Sequence, residues 1–491
     1  MKPKCFNCQI LQIGFEKFFN MTQKNKINQK LNSVDEFERE KVPESKVKGF
    51  RSFVGMVAGE HIAGTEFVIG PLFVLHGAAF YDVMWGLLIG NLLATLSWTF
   101  VCAPIAVKTR LTIFYQLEKI SGVGLVSIYN IINGLLFCVT ASAMIGVSAS
   151  AVGLLFDING PGLTDLYPSS TSWVLIIIVI GMVIAIVATF GFDRVSKFAN
   201  IFAPWMPLIF LAAGIAMLPE LGVTSWADFS TVAKQKIWTG VPVDGQTKYT
   251  FWHIMIFAWL CNSAMHIGLS DMSIYRYAKK ANYGLASAFG MFIGHFMAWL
   301  ASGILCAVAL QAGNSNPSPG EIAFMGAGIA GAICVVTAGW TTANPTIYRA
   351  GLAIQGLMPR VKRWKVTLIV GVTATLLACS PAIVSKLDQF LGFYALLASP
   401  VGAVVLVDVY LFPKLGLTRN IASKTNIRFN WAVLFTWIIA VLASYLLYKY
   451  FDADFYFFMA IPGWIIAAIT YPLLAKLQEV SIVKSFKPDN Q

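Results

Sequence analysis

Runs of mostly apolar residues, each roughly the twenty positions that a helix needs to cross the hydrocarbon of a bilayer, recur twelve times along this 491-residue sequence. They fall at about 51–76, 78–104, 122–151, 172–190, 198–218, 249–269, 283–310, 321–346, 366–380, 386–412, 429–448 and 454–476, the ninth being short. Charged residues make up only 12% of the chain, about half the share of a soluble globular protein. A water-soluble enzyme, a disordered chain and a disulfide scaffold are excluded together. With no water in the bilayer to satisfy backbone groups, spanning segments of this length are helices. The fold class is therefore an all-α polytopic membrane protein with 12 transmembrane spans.

The net charge of +12 looks at first like a nucleic-acid surface, but its placement is that of a topology signal. With the N-terminal tail placed in the cytoplasm, 31 of the 36 Lys and Arg fall on that side, and Lys234, Lys236, Lys248, Lys386 and Lys449 fall on the other. A wrong span count would scramble the split. It predicts a multi-pass protein of the plasma membrane, surrounded by lipid, with both termini cytoplasmic and no nucleic-acid partner. No cleavable signal peptide is expected, since the first insertable run begins near Phe50 behind a long basic segment, and Met21 offers a cleaner start to the tail. Cys5 and Cys8 form a lone C-x-x-C, short of the four ligands a structural zinc site takes.

Two spans are too polar for lipid. Span 1 carries Gly55, Gly59, Glu60, His61, Gly64, Thr65, Glu66 and Gly70; span 6 carries Trp259, Asn262, Ser263, His266 and Gly268. Charged side chains at membrane depth cost roughly 2.5–3.5 kcal/mol or more, so close packing by small residues alone explains these spans poorly. Their starts lie about 200 residues apart, as do those of spans 3 and 8. Five spans per unit is odd, so the second unit is inverted relative to the first. The predicted plan is a LeuT-like 5+5 inverted repeat plus two extra helices, with spans 1 and 6 broken. The divisions are a tail at 1–48, repeat 1 at 49–218, an extracellular loop at 219–248, repeat 2 at 249–413, a cytoplasmic loop at 414–428, spans 11 and 12 at 429–476, and a tail at 477–491. A short helix on the cytoplasmic surface is expected within 105–121.

Three groups of residues suit transport chemistry. Thr341 and Thr342, adjacent in span 8, can turn hydroxyls to a hard cation, or bond within their own helix. Asn130, Asn133, Phe137 and Thr140 share one face of span 3, where they either bond to neighbouring helices or line a cavity. Opposite them, Trp259 can stack a flat ligand against Phe137 or simply pack. Glu60, Glu66 and Asp271, with His61, His266 and His295, are groups that can relay protons; Glu66 and His266 lie closest to the breaks. Asp271 is expected to pair with Arg276, and Arg349 and Asp408 to snorkel from span ends.

The sequence also carries I-A-V-K-T-R-L-T-I-F-Y-Q-L-E-K-I-S-G at 105–122, R-Y-A-K at 276–279, T-T-A-N-P-T-I-Y at 341–348 and V-D-V-Y at 407–410. In order and spacing these resemble the nucleobase–cation symporter-1 family, the purine, cytosine, allantoin and hydantoin permeases, over most of 50–415. The resemblance implies a sodium at the carbonyls of Gly59, Ile62 and Ala338 and the hydroxyls of Thr341 and Thr342. It implies a planar heterocycle held between Phe137 and the Trp259 to Ser263 segment, with Asn262, Ser263, Asn344 and Ala63 completing the lining. Phe137 and Ala141 stand where the family often has Trp and Gln, T-A replaces T-N after the first hydroxyl, and Asp271 lies five residues before Arg276 rather than three. The expected function is cation-coupled symport of a nucleobase or related small heterocycle into the cytoplasm by a monomer, without catalytic residues. Alternatives are an amino-acid or amine symporter on the same fold, and a proton in place of sodium.

Overall fold

The structure, a computed structural model, describes residues 37–486 apart from Ala203, Asp452 and Asp454. Cys5, Cys8 and Met21 lie outside the described residues. Nine helices among those described are long and apolar enough to cross a membrane. They are Phe80–Thr109 (span 2), Val123–Leu154 (span 3), Thr171–Ala188 (span 4), Asp193–Leu221 (span 5), Ala281–Gln311 (span 7), Pro319–Gln355 (span 8), Leu387–Leu415 (span 10), Trp431–Tyr450 (span 11) and Tyr456–Val480 (span 12). The other three expected spans are the two polar ones, which are broken, and the short ninth, Arg363–Ala378. This is an integral membrane protein with a LeuT-like fold.

Span 1 runs as Phe50–His61 and Glu66–Leu75. Span 6 is divided further, into Phe251–Leu260, Ser263–His266 and Met272–Tyr275. Its second interruption contains Leu269 at φ +67°, a left-handed conformation that is uncommon for a branched side chain and costs on the order of 1–3 kcal/mol. The surroundings hold it there: the amides of Ser270 and Asp271 reach back to the carbonyls of Ala264 and Met265 at 3.0 and 3.1 Å.

Longer helices wrap both breaks, span 8 among them with a kink of its own at Ala327–Gly328. Span 8 lies along span 3, span 2 along the first part of span 6, and span 7 along the second half of span 1. Glycines allow the closest approaches. At Gly64, in the span 1 break, an added Cβ would lie 3.2 Å from the Gly339 nitrogen and the Val335 oxygen of span 8. At Gly402 of span 10 it would lie 1.8 Å from the Ile267 carbonyl oxygen, which is backbone and cannot swing away. Gly402→Ala is therefore expected to destabilise the protein by about 1–3 kcal/mol, read as a lower melting temperature in detergent. Gly146→Ala, whose Cβ would meet nothing nearer than 3.5 Å, is the neutral control; equal melting of the two variants would refute the packing argument.

The expected surface helix is Ile113–Ser121, capped at its start by Thr112, whose hydroxyl accepts the Tyr115 amide at 3.2 Å. On the same side the end of the N-terminal tail is tied to the loop after span 6. The Lys48 amide donates to the Tyr277 carbonyl at 2.7 Å, and the Arg276 guanidinium donates to the Phe37 carbonyl at 2.7 Å.

Candidate functional site

Breaking span 1 after His61 strands backbone carbonyls. The last C=O groups of a helix lack intrahelical donors, here those of Gly59, Glu60 and His61 and their neighbour Ile62. The Ile62 amide bonds to Ala58, but the amides of Ala63, Gly64 and Thr65 make no backbone hydrogen bond among the described residues. Span 8 supplies hydroxyls to this helix end. Thr342 Oγ1 lies 2.9 Å from the carbonyl oxygens of both Glu60 and Ala338, and Thr341 Oγ1 lies 3.0 Å from the Ala338 oxygen. Pro345 adds to the set, since proline has no N–H to return to the carbonyl of Thr341 four residues earlier. Gly59 sits at the same helix end, pressed on Ala199 of span 5, where a Cβ would come within 3.0 Å. The gathered donors are neutral hydroxyl and carbonyl oxygens, which suit a hard cation and not a soft metal.

Beside this point lies a cavity of about 50 Å³, lined by Glu60, His61, Ala63, Thr65, Glu66 and Ile69 of span 1 and by Cys261–Met265 of span 6. Thr140 and Met144 of span 3, His295 of span 7, Thr342 of span 8, and Leu387, Leu391, Tyr394 and Ala395 of span 10 complete it. Of the residues expected to hold a heterocycle, Ala63, Asn262 and Ser263 line it. Phe137 is fully buried one turn away, edge-on to Tyr394 with ring centroids 5.5 Å apart. Trp259 points elsewhere: its indole N–H donates to Ser97 Oγ of span 2 at 3.0 Å. Neither ring lines the cavity. Asn344 is fully buried, and neither of its amide atoms has a partner.

The two candidate proton groups differ in position. Glu66 opens the second half of span 1 and lines the cavity; one carboxylate oxygen has no partner and the other lies 3.8 Å from His295 Nε2. His266 faces away, with Nε2 2.9 Å from the Trp259 carbonyl oxygen. His295 is stacked on Trp299 at 4.3 Å and meets the His61 ring at 5.0 Å.

Next to the cavity lies a charge cluster that the sequence does not reveal. Arg349 of span 8 is completely buried and grips both carboxylate oxygens of Glu60. It also donates to Asp271 Oδ1, from Nε at 2.9 Å and from Nη2, while Asp271 Oδ2 accepts the Trp98 indole N–H at 2.7 Å. Asp271 thus pairs with Arg349 and not with Arg276, and Arg349 does not snorkel. Span 8 continues as helix to Gln355, which carries Arg349 more than a turn inside the bundle, and the second break of span 6 turns Asp271 inward to meet it. Asp408 is likewise buried, accepting the Asn420 amide at 3.0 Å.

No protein-family model matches the chain, and no curated protein matches it in sequence. Solved structures do match. Mhp1, a nucleobase-cation-symport-1 family transporter in a closed conformation with bromovinylhydantoin bound, superposes with a TM-score of 0.68 at 16% identity, over 90% of this chain and 96% of its own. The chain shares the fold of that transporter. The inward-facing conformation of Mhp1 gives a TM-score of 0.65 at 15% identity, over 90% and 95% of the two chains. A Na+-coupled sialic acid symporter in its substrate-bound, outward-open state gives 0.63 at 15% identity, over 91% and 93%. The broken spans read from residue polarity are thus found in the structure, and these structures share its LeuT-like fold.

Sequence reasoning missed Tyr394. Its ring borders the cavity and its hydroxyl donates to Asn133 Oδ1 at 2.8 Å, so it joins span 10 to the polar face of span 3. A phenol hydroxyl in an apolar run, which wants a partner when buried, is the signal that could have found it. Of that face, Thr140 reaches the cavity and Asn130 lies instead at a cleft of about 410 Å³ beside the tail segment 37–40.

Proposed function

We propose that this protein is a sodium-coupled symporter that carries a nucleobase or related small planar heterocycle into the cytoplasm by alternating access, as a monomer with both termini cytoplasmic. The observation that carries the reading is the meeting of the span 1 break with the Thr341–Thr342 pair at the wall of a cavity between both broken spans. Sodium is the favoured ion because Gly59, Ile62 and Ala338 carbonyls and Thr341 and Thr342 hydroxyls do not titrate near neutral pH. A sodium there would place a positive charge at the cavity wall and draw the span 1 break onto span 8. The shape relatives support the class, one a nucleobase-cation-symport-1 family transporter with a hydantoin derivative bound and one Na+-coupled.

The cavity, about 50 Å³, is far smaller than the roughly 300–1,000 Å³ of a small-molecule site. Admitting a ligand requires its walls to part. The division that does this without unfolding moves spans 1, 2, 6 and 7 as one body against spans 3, 4, 8 and 9. Asn262 and Ser263, with Asn344 if span 8 turns, offer hydrogen bonds to a base, and Tyr394 and Phe137 offer aromatic faces.

The test is uptake into proteoliposomes of labelled purines, pyrimidines and hydantoins under an inward sodium gradient. Sodium-dependent uptake of at least one base, competed by others, is expected. Failure of every base to compete, alongside uptake of an amino acid, would replace this reading with the amino-acid or amine symporter, which the cavity carboxylate of Glu66 would then serve.

A further inference from the structure

The Glu66 side chain is only 2% exposed, yet Oε2 has no hydrogen-bond partner, and the 3.8 Å from Oε1 to His295 is too long for a hydrogen bond. A carboxylate at membrane depth without a full set of partners costs several kcal/mol, so groups that answer it are needed. Among the described residues the Ala63 backbone amide bonds to it, but no Lys or Arg does. No Lys or Arg lines the cavity, and the cation nearby, Arg349, is committed to Glu60 and Asp271. Both Glu66 and His295 border the cavity. The His295 ring is fixed by stacking on Trp299, and the eight-residue π-helical segment Phe289–Phe296 sets it there, a feature frequent at functional sites.

We propose that Glu66 is the specificity-determining residue of the substrate site and selects heterocycles whose edge presents two adjacent donors, a ring N–H beside an exocyclic amino group. The proposal deepens the transport reading and rests on it. A carboxylate offers acceptors only, and two parallel N–H groups meet its two oxygens as a bidentate pair. An imide edge, N–H flanked by C=O on both sides, would turn a carbonyl oxygen against one carboxylate oxygen and leave both unpaired, and a lactam N–H with no amino neighbour offers one donor where two are wanted. That repulsion is discrimination by exclusion. A site built to receive a donor rejects an analogue that lacks it far more strongly than an apolar pocket rejects a missing methylene. An anionic substrate is disfavoured for the same reason.

The experiment is competition binding by scintillation proximity on the purified protein, in saturating sodium, with guanine, isocytosine, hypoxanthine, uracil and hydantoin as probes. Wild type is expected to bind guanine and isocytosine about 100-fold more tightly than hypoxanthine and uracil. Glu66→Gln replaces an acceptor–acceptor edge by acceptor–donor, so it should weaken the first pair, strengthen the second and compress the ratio to about tenfold or less. The sodium needed for half-maximal binding should stay put. Glu66→Asp keeps both acceptors and should preserve the order. A wild-type order that favours hypoxanthine, uracil or hydantoin overturns the proposal and leaves the transport reading standing. So does an unchanged order in Glu66→Gln, or a shift there in sodium dependence alone. If no base binds wild type at all, the transport reading itself fails. Should Glu66→Gln not fold, the wild-type order decides.

Discussion

Arg349→Ala is expected to abolish transport and to lower stability by about 3–5 kcal/mol, the cost of breaking a buried ion pair from one side. The guanidinium has no access to water, and four donor contacts hold it to Glu60 and Asp271. Removing it leaves two buried carboxylates side by side, with the Trp98 indole as the one remaining side-chain donor among the described residues. Arg349→Lys keeps the charge but loses the planar fork that meets Glu60 through two nitrogens, so an intermediate loss is expected. The cluster joins span 1 and span 6, in the body proposed to move, to span 8 in the body proposed to stay. Its role in motion is separable from its role in folding. Neutralising all three partners together, as Glu60→Gln, Asp271→Asn and Arg349→Gln, removes the unpaired charge and should recover most of the melting temperature without recovering uptake. Thermal melts in detergent and uptake assays on the same preparations read both quantities. Wild-type transport by Arg349→Ala would show that the cluster does neither job.

The breaks were legible because they concentrate what a lipid-facing helix avoids. Glu60, His61, Gly64, Thr65 and Glu66 follow one another closely within an apolar run, and the helix stops among them. The Thr341–Thr342 pair was legible for the same reason, two hydroxyls in a segment long enough to cross. The charge cluster was not. Glu60 and Arg349 are 289 positions apart, and nothing local in either segment names the other. Arg349 was placed at a water interface because the apolar run ends near it, whereas the helix outlasts the run and takes the arginine inside. Side-chain direction near a break was equally out of reach. Periodicity places Trp259 on its helix but does not say that its indole is taken by Ser97 of span 2. Sequence thus located the polar residues and left their pairings to the fold.

Thr342→Ala is expected to raise the sodium concentration for half-maximal transport by about tenfold or more, corresponding to roughly 1.4 kcal/mol of lost ion affinity, with Thr341→Ala giving a smaller shift. The order follows from position: the Thr342 hydroxyl lies 2.9 Å from carbonyls of both span 1 and span 8, whereas the Thr341 hydroxyl reaches only the Ala338 carbonyl and the Met206 sulfur, at 3.0 and 4.0 Å. Thr342→Ser restores the oxygen and should restore most of the affinity. A binding readout independent of transport is available, because an ion that binds the folded protein alone raises its melting temperature as its concentration rises. That sodium-dependent rise should be present in wild type and in Thr342→Ser, and blunted in Thr342→Ala. The competing reading couples transport to protons through Glu66 or His266. His266 is the weaker candidate, since its Nε2 is bonded within span 6 and it does not border the cavity. Glu66 does border it, so Glu66→Gln separates the two readings. Under sodium coupling its half-saturating sodium stays that of wild type, whatever happens to the ligand. Uptake that ignores sodium, rises with an inward proton gradient and disappears in Glu66→Gln would move the coupling from the hydroxyl pair to the carboxylate. The broken spans and the cavity between them would stand, because their geometry depends on neither ion.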